Sequence, residues 1–135
     1  MLFYAIVKFL AYTLWCFMGL RLLSPARATI PRAIAFGAVR WMLGLLFGVA
    51  VAILLGSIDG ASVVRLYFGI YAPLRVVEWW IMVALMRGAH PAGRALSRDP
   101  KIWGWVVGGI ALSFLSDLAS PEGMEGRFCV GRCLC

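Results

Sequence analysis

The sequence predicts an all-α integral membrane protein, a bundle of four transmembrane helices with both termini on the non-cytoplasmic side. Three observations lead there. Of the 135 residues, 63% are hydrophobic and only 14% charged, against about half and about a quarter in an average soluble domain. The apolar residues fall into four runs, roughly 2–23, 34–56, 62–86 and 102–118. Basic residues flank those runs instead of gathering into a patch, so a net charge of +7 reads as membrane orientation, and nucleic acid is not an expected partner.

A helix rising 1.5 Å per residue needs about 20 apolar residues to cross a hydrocarbon core about 30 Å thick. The first three runs meet that length, and the fourth sits at the short limit. None alternates with period two, which excludes strands. Ser24-Pro25 and Pro31 interrupt the chain after the first run, and Ser57-Ile58-Asp59-Gly60 turns it after the second. His90-Pro91-Ala92-Gly93 and Asp99-Pro100 bracket the third connection, and Ser120-Pro121 ends the fourth run. The expected organisation is a membrane domain over 1–120 and a short tail over 121–135. Ala26-Arg27-Ala28 resembles a signal-peptidase site, but no basic residue precedes Lys8. The first run is therefore expected to be a retained helix.

Orientation follows from the basic residues. Arg21, Arg27, Arg32, Arg40, Arg87, Arg94, Arg98 and Lys101 belong to the two odd connections and their flanks, whereas the other side holds Lys8, Arg65, Arg127 and Arg132. The positive-inside rule puts the odd loops in the cytoplasm, in the inner membrane of a bacterium. Trp41, Trp79, Trp80, Trp103 and Trp105 fall toward the same ends, with Trp15 in the inner half and Tyr4, Tyr67 and Tyr71 in the outer half. This distribution reads as an interfacial aromatic belt more than a ligand-stacking cage. Membrane lipids are the first expected partners, and the basic loops would attract their anionic headgroups.

The candidate site is Arg75-Val76-Val77-Glu78, midway along the third run. Each charge at that depth costs about 2.5–3.5 kcal/mol on insertion scales, and a spacing of three puts both on one helical face, where they can pair. Tyr71 and Tyr67 extend that stripe outward. Pro73 removes the N–H that would bond to the Gly69 carbonyl, which predicts a kink. Two roles fit the pair: an ion-coupling site with Glu78 as proton carrier, or a neutralised pair that fixes packing or docks a partner chain. Lys8 lies about two turns into the first run, where snorkelling to the outer headgroups is the simpler reading.

Gly44-x-x-x-Gly48 and Gly104-x-x-x-Gly108 are small-residue ridges that allow close helix packing. Cys129, Cys133 and Cys135 in the tail lack the Cys-x-x-Cys pairs of a structural zinc site, and the single histidine, His90, is expected on the opposite side. A disulfide is the simpler expectation outside the cytoplasm. It would close so short a loop that it adds little to stability. No phosphate-binding loop, metalloprotease motif or serine triad is present, so no cofactor is implied and catalysis is not expected. Function narrows to a non-catalytic subunit or scaffold of a membrane complex, with other membrane chains as partners, or to a small ion-coupled transporter or channel acting as a homo-oligomer through Arg75 and Glu78. A redox enzyme using the tail cysteines is a distant third.

The topology is directly testable. A cysteine replacing Ala92 should resist an impermeant thiol reagent in intact cells and react only after permeabilisation. Labelling from outside would reverse the orientation.

Overall fold

A computed structural model describes residues 2–55, 63–88 and 99–118, with the side chains of 2, 52, 54, 55 and 63–67 outside the description. It shows four long helices: α1 (Leu2–Leu23), α2 (Ile30–Leu55), α3 (Val63–Arg87) and α4 (Pro100–Leu118), with a 3-10 turn at Pro25–Arg27. The residues expected to turn at Ser57–Gly60 and at His90–Gly93, and the tail with Cys129, Cys133 and Cys135, lie outside the described residues.

Three helices contain segments long and apolar enough to cross a membrane: Phe3–Leu23, Ile30–Val51 and Phe68–Arg87. Their outer faces carry large bare hydrophobic side chains, among them Phe3, Leu14, Leu46 and Ile53. Water would not tolerate so continuous an apolar surface, and lipid would. At 19 residues, α4 spans roughly 28 Å.

The helix boundaries have local causes. Pro31 does not break the chain as expected; it occupies the first turn of α2, where its missing N–H has no intrahelical partner to lose. The helix therefore starts four residues earlier than the hydropathy suggested. Pro100 opens α4 in the same way. Asp99 caps that helix, its Oδ1 accepting from the Lys101 amide at 2.9 Å and its carbonyl from the Ile102 amide at 3.1 Å. α3 runs on through Pro73 as one helix.

Each helix turns one stripe inward. On α1 it is Lys8, Tyr12, Cys16 and Leu20; on α2, Ala33, Gly37, Arg40, Gly48 and Val51; on α4, Ile102, Trp105, Gly109, Ser113 and Asp117. α3 contributes Tyr71, Arg75, Glu78, Trp79, Met82 and Met86. Pairing of Trp15 with Trp105 and of Lys8 with Asp117 shows α1 and α4 running antiparallel. The two indoles exchange bonds, each Nε1 donating to the other residue's carbonyl at 3.2 and 3.1 Å. Trp79 packs edge-on against both Trp105 and Tyr12. The belt reading is corrected here: Trp79 is fully buried, Trp105 is 4% exposed and Trp15 is bound to α4. Only Trp41, Trp80 and Trp103 remain at the periphery.

Glycine makes room for these rings. A Cβ at Gly109 would lie 2.5 Å from the Trp79 ring, at Gly19 2.5 Å from Trp105, and at Gly108 2.5 Å from Trp15. Gly37 does the same for Thr13 across the α1–α2 contact. Gly104, by contrast, meets nothing within 4 Å. The packed small residues of α4 are thus Gly108 and Gly109. Gly108→Ala should lower the melting temperature, since overpacking of this kind costs about 1–3 kcal/mol. Gly104→Ala should be neutral or slightly stabilising, as Ala gains roughly 0.5–1 kcal/mol over Gly inside a helix. Thermal unfolding in detergent compares them, and equal losses would contradict this packing.

Candidate functional site

Five ionisable side chains, drawn from all four helices, meet in the bundle interior. Arg75 Nη1 on α3 lies 2.9 Å from Glu78 Oε2 on the same helix, and Arg40 Nη2 on α2 lies 2.7 Å from that same oxygen. Arg75 Nη2 turns the other way to Asp117 Oδ2 on α4 at 3.0 Å. Lys8 Nζ on α1 closes the chain on Asp117 Oδ1 at 2.6 Å. The links run Arg40, Glu78, Arg75, Asp117, Lys8, and tie α2 to α3, α3 to α4 and α4 to α1.

Neutral groups extend the network. Ser113 Oγ accepts from Arg40 Nη2 at 3.1 Å, from Trp79 Nε1 at 3.3 Å and from the Tyr12 hydroxyl at 3.4 Å, and donates to the Gly109 carbonyl at 2.9 Å. A hydroxyl has two lone pairs, so the two longer bonds share one. The Arg40 guanidinium lies against both the Tyr12 and Trp79 rings, 4.9 Å from each centroid, an arrangement that returns some of the hydration lost on burial. At the outer end Tyr4 accepts from Lys8 at 2.9 Å and donates to Asp117 at 3.5 Å.

Depth makes this pairing obligatory. Arg40 and Glu78 lie roughly 15 and 14 Å along their helices from Ile30 and Arg87, well inside both. Arg40 and Glu78 are 0% and 1% exposed. Five unpaired charges would cost on the order of 12–18 kcal/mol on insertion scales. That is as large as the whole stability of a typical domain, about 5–15 kcal/mol.

Among the described residues these pairs join three cations to two carboxylates. Arg40 Nε and Nη1 and Arg75 Nε are buried without a hydrogen-bond partner. Gly44 lies beside these guanidinium groups, where a Cβ would make ordinary contacts at 3.4 Å to Arg40 Nη1 and 3.7 Å to Arg75 Nη1.

Several expectations change. Lys8 does not snorkel outward; it is 9% exposed and bound to Asp117. Asp117, counted with the outer flank, is buried and holds two cations. Arg40, counted with the cytoplasmic flank, is the most deeply buried charge of all. Dropping Arg40 and Lys8 from the flanks leaves a basic asymmetry of seven to three. Tyr71 is buried beside Arg75, its ring centroid 5.9 Å from the guanidinium carbon. Gly69 has no neighbour within 4 Å of a Cβ position, Gly48 is buried, and Tyr67 lies on α3 with its side chain outside the description. Cys16 is a free, buried thiol below Tyr12. Among the described residues no group of His, Cys, Asp and Glu has the make-up of a metal site.

Compared with protein-family models, with curated proteins and with solved structures, the chain finds no match. The functional argument rests on the site itself.

Proposed function

We propose that this protein is a small ion-coupled transporter of the bacterial inner membrane, with α4 as a fourth span and both termini outside, acting as a homo-oligomer. The observation that carries this reading is the five-charge network. Buried ion pairs seldom out-stabilise apolar packing of the same volume, and ionisable residues within a span mark ion paths or proton relays more often than structural needs. A bundle this small could be held together as well by apolar side chains in their place.

The layout supports the same reading. Ionisable groups lead from mid-span outward through Glu78, Arg75, Asp117 and Lys8 to half-buried Tyr4. Inward from the network, the apolar layer of Cys16, Met82, Trp79 and Val106 closes the way. Glu78 is the proton carrier in this scheme, and Arg75 and Arg40 compete for its carboxylate. The unpartnered guanidinium N–H groups of Arg40 and Arg75 favour a small anion as the coupled species.

One observation favours the alternative, a non-catalytic subunit of a larger membrane complex. Gly69 and Gly104 are small-residue notches that no described residue fills, and such notches suit a neighbouring helix. The charged pair itself faces inward and offers a partner nothing.

Purified protein in liposomes should move protons when an anion gradient is imposed. Glu78→Asp keeps the charge but withdraws the carboxylate by one methylene; it should fold normally and slow flux about tenfold or more, as misplacement of a reacting group by ~1 Å does elsewhere. Absence of flux in the native protein, with unlike chains retained through mild purification, would replace this reading with the subunit one.

A further inference from the structure

At the inner end of the bundle, away from the charge network, a cleft of about 440 Å³ opens between α1, the 3-10 turn, α2 and α3. Its floor is Leu20 and Met86, both buried, and its walls include Phe36 and Leu85. Leu85 is 49% exposed, so the cleft opens on the lipid-facing side of α3. Two arginines, Arg27 and Arg32, stand at its rim. The volume falls within the range of about 300–1,000 Å³ usual for bound small molecules.

The rim is built around Arg27. Gly88 ends α3 with φ +75°, and a Cβ there would lie 3.1 Å from Arg27 Nη1. Any side chain at that position would both strain the backbone and push the guanidinium aside. Ser24 Oγ donates to the Met86 carbonyl at 3.2 Å and ties the turn that carries Arg27 to the end of α3.

The two arginines have no acid to meet. Across the stretches 24–33 and 87–101 the sequence contains one acidic residue, Asp99, and its carboxylate caps α4. Whatever neutralises Arg27 and Arg32 therefore comes from outside these connections. A soluble anion would gain from the arginines and leave the apolar floor empty. A phosphate joined to acyl chains satisfies both halves, and basic pockets between helices at this level are where such headgroups bind.

We propose that this cleft is a binding site for one anionic phospholipid, with its phosphate between Arg27 and Arg32 and an acyl chain lying along Phe36, Leu85 and Met86. The site stands independently of the transport reading.

Native mass spectrometry of the full chain in detergent, titrated with phosphatidylglycerol or phosphatidylcholine, tests it. One phosphatidylglycerol should be retained in preference to phosphatidylcholine. Arg27→Gln with Arg32→Gln should weaken it about 30-fold, the attraction of two cations near a membrane surface, without lowering the melting temperature of the lipid-free protein. Arg21→Gln is the control: Arg21 is exposed at the same level, stacks on Phe17 and does not line the cleft. It should retain the lipid. Three outcomes would each overturn the proposal: equal retention of both lipids, loss of equal size in Arg21→Gln, or displacement of the lipid by millimolar inorganic phosphate.

Discussion

The carboxylate of Glu78 is the point on which the interior of this bundle depends. One of its oxygens takes a guanidinium nitrogen from α2 and another from α3, at 2.7 and 2.9 Å. Arg75 then passes the connection to α4 through Asp117, and Asp117 passes it to α1 through Lys8. In water such bonds would exchange with solvent and be worth little. In an apolar interior each charge left alone costs several kcal/mol, so the pairs fix which faces of the four helices must meet. Gly109 follows from the same demand: it lets Trp79 lie beside Ser113, the hydroxyl that Arg40 and Trp79 share.

Much of this architecture was legible in the sequence. Hydropathy marks all four helices, and Arg75 and Glu78 declare a polar face through their spacing. The rest of the network was hidden for a specific reason. Reading Pro31 as a break placed Arg40 only about a turn and a half into α2, within reach of the headgroups. With Pro31 in the first turn, Arg40 sits nearly three turns deep, beyond any snorkelling. Lys8 and Asp117 lie close enough to helix ends to pass for flanking charges. A stripe analysis would have found them: Tyr4, Lys8, Tyr12 and Cys16 recur every four residues on α1, and Gly109, Ser113 and Asp117 do so on α4. The tryptophans misled in a similar way. An indole near a membrane boundary satisfies the belt pattern whether it points at lipid or inward, and only the neighbouring Glu78 hinted that Trp79 turns in.

The functional reading grows out of the unpartnered donors in this network more than from its ion pairs. Arg40 stands at mid-span against Tyr12 and Trp79, with two of its nitrogens lacking a hydrogen-bond partner. On the proposed transport reading, the site keeps its net charge when a proton and an anion enter together, and that neutrality would couple the two movements. The cleft rimmed by Arg27 and Arg32 places a second concentration of positive charge at the other end of the bundle.

The central claim is that Glu78 and Arg40 form a cross-helix pair on which the fold depends, and a double-mutant cycle measures it directly. Glu78→Met leaves Arg40, Arg75 and Lys8 facing Asp117 alone and should lower stability by about 3–5 kcal/mol. Arg40→Met leaves the remaining charges balanced and should cost less. The double variant should be more stable than Glu78→Met, with a coupling energy above about 1 kcal/mol, measured by equilibrium unfolding in lipid–detergent mixtures. Additive losses would show that the two side chains do not depend on one another, and the account of this bundle as one closed by its buried charges would be wrong.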